Sequence, residues 1–170
     1  MKLFALLIIN SFFFGSIYTY QFTDAEGTVV NMNTFQGKKI LLVNIATGSG
    51  RVSQLAGLQQ LHQQYGDSLV IIAFPSNSFG KEQREDAAIK EFCQANYGVS
   101  FRIASKKPVT GAQIQPIYNW LNQAGENGVM NGAVIGDFQK FLISAEGQII
   151  GVFAPAVSPL DTQLINAIIN

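Results

Sequence analysis

A thiol, an imidazole and a hydroxyl in a glycine-flanked turn are the side chains of this sequence best placed to do chemistry: Cys93, His62 and Ser49. Ser49 stands in Asn44-Ile45-Ala46-Thr47-Gly48-Ser49-Gly50, after the apolar run of residues 40–45 and before an amphipathic stretch. That pattern predicts a strand-to-helix turn in which residue 49 faces the positive end of a helix. A serine there would be an acyl-transfer nucleophile if a base could take its proton. The G-x-S-x-G spacing of a nucleophile elbow is absent, because Thr47 and Arg51 hold the outer glycine positions. His62, the only histidine, falls about 14 Å along the following helix at ~1.5 Å per residue, beyond the ~3 Å reach of a general base. The spacing argues against a serine hydrolase.

Cys93 is the only cysteine, so no disulfide can form within one chain. With Ile89 it fits the apolar stripe of a helix, where a thiol packs as a small hydrophobe. A lone histidine without companion cysteines or clustered carboxylates makes no metal site, and His62 reads as a solvated helix residue. Glu82, Glu85, Asp86 and Glu91 read as a solvated, charged face rather than as ligands.

The elements that must position these residues belong to one domain. At 170 residues, with 48% hydrophobic and 13% charged, the chain can bury one substantial core. Eleven basic and eleven acidic residues, scattered along the sequence, leave no footprint for nucleic acid and no funnel for acidic substrates. Residues 1–19 differ from the rest: Met1-Lys2 carries a positive charge, and residues 3–14 are apolar except for Asn10 and Ser11. This reads as a secretory signal peptide cleaved between residues 16 and 20, with a domain over residues 20–170. The run is too short for a stable membrane span. The competing reading is an N-terminal hairpin packed on the domain.

Residues 20–23 and 29–32 predict a hairpin around an Asp24-Ala25-Glu26-Gly27 turn. Residues 39–45 and 69–74 are continuous apolar strands of the kind buried on both faces, and the helix predicted over 53–65 between them makes a right-handed parallel crossover. Further helices are predicted over 85–97 and 115–122, with Pro116 near the start of the second. A short extended segment lies at 99–103, a late hairpin at 138–144 and 148–153, and a closing helix from about 158 to 169. The order describes an α/β, thioredoxin-like sandwich: a mixed central sheet, flanking helices and an N-terminal hairpin.

Several strings resemble the glutathione peroxidase family, in the family's own order. They are the approach from Phe35 through Gly37-Lys38 to Val43-Asn44-Ile45-Ala46, the loop Phe74-Pro75-Ser76-Asn77-Ser78-Phe79-Gly80, and Phe92-Cys93 with Tyr97-Gly98-Val99-Ser100-Phe101. Pro116-Ile117-Tyr118-Asn119-Trp120-Leu121, Phe138-Gln139-Lys140-Phe141-Leu142 and Phe153-Ala154-Pro155 with Ser158-Pro159 follow. The resemblance implies reduction of hydroperoxides by a thiolate or selenolate held by glutamine, tryptophan and asparagine, with glutathione or thioredoxin as reductant and no bound cofactor or metal. Carried over by position, the nucleophile is Ser49, the glutamine Ser78, and the tryptophan and asparagine Gly136 and Asp137.

Gly136 offers no indole N–H, Ser78 is shorter than glutamine, and Asp137 would repel a developing thiolate. A hydroxyl cannot follow a thiol along the oxidation ladder, so the resemblance implies an inactive centre. The former active-site loop would comprise Gly48, Gly50, Ser76 and Asn77, and the former active-site depression, lined partly by Ser49, Ser76, Asn77 and Ser78, would offer a polar surface to a small-molecule or protein partner. Cys93 falls where thioredoxin-dependent members carry a resolving cysteine, which leaves a redox thiol as the alternative to a core residue.

Overall fold

The computed structural model describes residues 15–170; the first fourteen residues of the expected leader lie outside this range. A hairpin of β1 (Gln21–Thr23) and β2 (Val29–Asn31) opens the domain. Asp24 shapes its turn, Oδ1 accepting from the backbone N–H of Glu26 and Thr28. β3 (Lys39–Ile45), α1 (Gln54–Tyr65) and β4 (Leu69–Pro75) then form a parallel crossover unit. α2 (Asp86–Tyr97) leads to the short parallel strand β5 (Arg102–Ile103). α3 (Pro116–Asn122) and α4 (Ala124–Asn127) precede the antiparallel pair β6 (Lys140–Ile143) and β7 (Ile149–Phe153), and α5 (Thr162–Ile169) closes the chain. The sheet order is β5-β4-β3-β6-β7, a mixed sheet as expected.

Strand alternation divides the apolar residues of β3 and β4 between two cores. Ile40, Leu42, Ile72 and Phe74 face Ile117, Tyr118 and Trp120 of α3 together with Phe22 and Val30 of the hairpin. Leu41, Val43, Ile45, Ile71 and Ala73 face Leu55, Leu58 and Leu61 of α1, Ile89 and Cys93 of α2, and Leu164 and Ile168 of α5. Each fully buried aliphatic side chain contributes roughly 1.5–3 kcal/mol of transfer free energy, which is why both runs read as continuous rather than alternating.

The start of the closing helix differs from expectation for a local reason. α5 begins at Thr162 because the Asp161 side chain accepts from Gln163 N at 2.8 Å and caps the helix there. Residues 158–161 instead form a turn closed by Asp161 N to Ser158 O at 3.0 Å. At the other end, residues 15–19 pack on the domain, with Ile17–Thr19 in a single 3-10 turn and Ile17 wholly buried. Among the described residues no helix is long and apolar enough to cross a membrane.

Candidate functional site

Three segments meet at the carboxyl end of β3. Asn44, buried in that strand, donates from Nδ2 to Gly136 O at 2.9 Å, and its carbonyl accepts from Phe138 N at 2.7 Å. These bonds dock residues 136–139 beside the turn that follows β3. Phe138 is the only non-glycine with positive φ among the described residues, at 69°. Its ring is fully buried in the α1–α2–α5 core, which offsets the strain of a left-handed conformation. Lys140, also buried, donates from Nζ to Phe138 O and Val157 O, each at 2.7 Å. Burial, then the nearby charge of Arg51, lowers the Lys140 ammonium to about 8.

The turn is held from its other side by residues 76–84. Gly48 N donates to Lys81 O at 3.0 Å, and a Cβ on residue 48 would lie 2.6 Å from that oxygen, so the close approach requires glycine. Glu82 is wholly buried: Oε2 accepts from Thr47 N at 2.7 Å, and Oε1 accepts from Thr47 Oγ1 at 2.8 Å and Arg84 N at 3.1 Å. Arg84 Nη1 donates back to Thr47 Oγ1 at 2.7 Å. Thr47 therefore has its polar groups satisfied by a carboxylate and a guanidinium on one loop.

Within this frame Ser49 is 6% exposed and Asp137 5%. Ser49 Oγ accepts from Arg51 N at 3.3 Å. α1 starts only at Gln54, after a turn closed by Val52 N to Ser49 O, so the hydroxyl meets that turn and not the first turn of the helix. Burial pushes the Asp137 carboxyl above its usual value; the Ser49 hydroxyl and the Arg51 charge oppose the rise, Glu82 adds to it and Lys81 opposes it. Asp137 Oδ1 has no hydrogen-bond partner. At Gly136 a Cβ would sit 3.3 Å from Pro155 Cγ, so a side chain there presses on the loop after β7.

The structure thus brings Ser49, Gly48, Gly136 and Asp137 together, and places Ser78 elsewhere. Ser78 Oγ accepts from Ser76 Oγ and from Val109 N, each at 3.0 Å, and so faces the segment before α3. Asn77 and Ser78 line a cavity of about 610 Å³ with Lys106, Lys107 and Gln113, and Ser49 is not among its walls; Ser76 is fully buried. The polar depression expected around Ser49, Ser76, Asn77 and Ser78 is therefore split. Glu82, expected on a solvated face, is instead the residue that grips the turn. Its only local signal is that it follows the Gly80-Lys81 step.

Cys93 is completely shielded on the inner face of α2. Burial, reinforced by Glu82 and opposed by Arg84, pushes its thiol up to about 12. His62, expected to be solvated, is half-buried with its ring edge-on to Phe101 at 6.0 Å, beside a different cavity of about 460 Å³ at the β4 edge. Among the described residues no group of three or more His, Cys, Asp or Glu side chains could hold a metal ion.

The architecture is that of the thioredoxin-like class: a thioredoxin-family thiol:disulfide interchange protein from Chlorobium tepidum aligns with a TM-score of 0.63 over 91% of this chain and 97% of that one, at 14% identity. The apo form of Trgpx aligns with a TM-score of 0.68 at 28% identity, covering 90% of this chain and 95% of that one. In sequence, the glutathione peroxidase family profile matches residues 17–122. A glutathione peroxidase of Lactococcus lactis is 36% identical over 146 residues, 85% of this chain and 92% of the relative. A glutathione peroxidase-like peroxiredoxin, GPX5, of Chlamydomonas reinhardtii is 37% identical over 144 residues, 84% and 88% of the two chains. The chain belongs to the glutathione peroxidase family, whose activity is peroxide reduction in defence against oxidative stress.

Proposed function

We propose that this chain is an exported member of the family that has lost peroxide reduction and acts as a binding or structural module. The observation that carries the reading is Ser49, a hydroxyl at the family's nucleophile position beside the buried carboxyl of Asp137. Peroxide reduction requires an atom that attacks the O–O bond and keeps one oxygen, as a thiolate does in becoming a sulfenic acid. An alcohol oxygen has no corresponding oxidation step. Gly136 supplies no donor side chain, and Asp137 would disfavour an anion at position 49 if one were introduced. Binding in place of chemistry would use the cavity between Asn77, Ser78 and the two lysines, open to a small molecule or a protein segment.

The alternative, a thiol peroxidase working through Cys93, is opposed by the burial of that thiol and by its pKa near 12. Purified protein supplied with hydrogen peroxide and either glutathione or thioredoxin with its reductase is expected to show no turnover above the rate without protein. Turnover that survives Cys93→Ala would overturn the reading, as would turnover lost with it. Export is supported by the charged start and apolar run of the leader. Recovery of the protein outside the cytoplasm of its native host, shortened at its N-terminus, is the expected result.

A further inference from the structure

Resting on the export reading, we infer that the processing bond lies no later than Gly15–Ser16, and that residues 16–20 are a permanent strap of the folded domain and not the tail of the leader. Ile17 is wholly buried in the α3-side core, where Met32, Tyr118 and Trp120 also lie. Its N–H donates to Gly147 O at 3.2 Å, Tyr18 Oη donates to Ala145 O at 2.7 Å, and Tyr20 O accepts from Met32 N at 3.0 Å. The strap therefore ties the first hairpin to the β6–β7 turn.

The receiving turn is shaped for it. Gly147 has φ of 89°, and a Cβ there would lie 2.1 Å from Ser16 Oγ and 2.8 Å from the Tyr18 ring. One glycine thus serves two demands, a left-handed turn and the passage of residues 16–18 across it. A segment destined for removal would leave that close approach without a purpose and would open the slot that Ile17 fills.

Signal cleavage selects a small residue immediately before the cut, and the small residues here are Gly15, Ser16 and Thr19. A cut after Thr19 removes Ile17 and Tyr18. A cut after Ser16 creates an α-ammonium on the nitrogen of a wholly buried residue, where desolvation opposes the charge. A cut after Gly15 leaves the new amine on half-buried Ser16 and, among the described residues, removes two hydrogen bonds: Gly15 N to Glu126 O at 2.9 Å and Trp120 Nε1 to Gly15 O at 2.7 Å. An earlier cut removes neither.

N-terminal sequencing and intact mass of protein recovered after export test the bond. A start at Ser16, or at any residue between Met1 and Ser16, agrees with it, and a folded product starting between residues 17 and 20 overturns it. Retention of Met1 overturns the export reading and the processing bond together, but leaves the strap to a separate measurement. Chains comprising residues 16–170 and 20–170, each made without export, are compared by thermal unfolding. The shorter is expected to melt at least about 5 °C lower, with Ile17→Ala in the longer chain falling between them. Failure of the shorter chain alone to fold supports the strap equally. Equal melting temperatures would refute the strap wherever the leader is cut.

Discussion

The turn after β3 and the inner face of α2 carry the two side chains on which the proposed loss of peroxide reduction rests. The turn holds Ser49 at the end of a central strand, its hydroxyl accepting from Arg51 N, and in the proposed reading it has the location of a thiol site without the sulfur. α2 has the element, yet Cys93 is enclosed by Ile89, Val99, Phe101 and the strands beneath them. Ser49 and Cys93 are both almost inaccessible, at 6% and 0%. Nearly equal burial therefore covers two different surroundings. A polar shell containing Asp137, Glu82 and Arg51 can tune a charge, whereas an apolar shell suppresses one.

The largest expected effect is at α2. With its thiol near 12, Cys93 in the native protein should react with a disulfide reagent at neutral pH roughly a thousandfold or more slowly than in denaturant. Rapid modification of folded protein would erase the contrast between the two regions. At the turn, Glu82→Ala leaves the Thr47 N–H without its acceptor and should cost about 2–3 kcal/mol by urea unfolding. Gln83→Ala, whose exposed amide bonds only Asn77 and Gly80 within its own loop, should cost less than about 1 kcal/mol; equal losses would deny Glu82 its role in holding the turn.

The finest test places a thiol at the turn. Ser49→Cys alone should react sluggishly with peroxide, and adding Asp137→Asn should raise the rate about tenfold by removing a like charge. Rapid turnover by the single variant would show that the surroundings still support catalysis. Asp137→Asn by itself should raise the melting temperature by roughly 3 °C at neutral pH. Burial raises the Asp137 pKa in the folded state, so the fold favours the neutral acid. The penalty is absent below the unfolded value, grows as pH rises from there to the raised one and is constant above it, so the gain from asparagine must shrink toward pH 3. A gain independent of pH would point to packing, not charge.

What could be read in advance follows from whether the signal is local. The runs at 39–45 and 69–74 announce doubly covered strands because apolar residues fall on both faces, with only Lys39 and Asn44 polar, and the Ile89–Cys93 spacing marks an inward helix face without knowledge of its partners. α4 has no apolar stripe in Ala-Gly-Glu-Asn and exists through contacts made elsewhere: Asn127 Nδ2 donates to Trp120 O, and its Oδ1 accepts from Val129 and Met130 N. Glu82 is the sharper case. Carboxylates strung between Gly80 and Lys90 look solvated, and only the arrival of Thr47, thirty-five positions earlier, turns one of them into a buried acceptor. Ser49 and Asp137 are likewise far apart in the chain, and their meeting needs Asn44 to dock residues 136–139.

The register of the central sheet sets a timetable for synthesis. β3 has one flank filled by β4 about thirty residues later, but the other awaits β6, where Ile40 meets Ile143. That pairing closes a loop of about a hundred residues, the kind of non-local contact that slows folding. Until the last strands leave the ribosome, this central, largely apolar strand has an open edge and part of both cores is missing. Chaperones and targeting factors that meet the nascent chain therefore encounter it before its native fold can close.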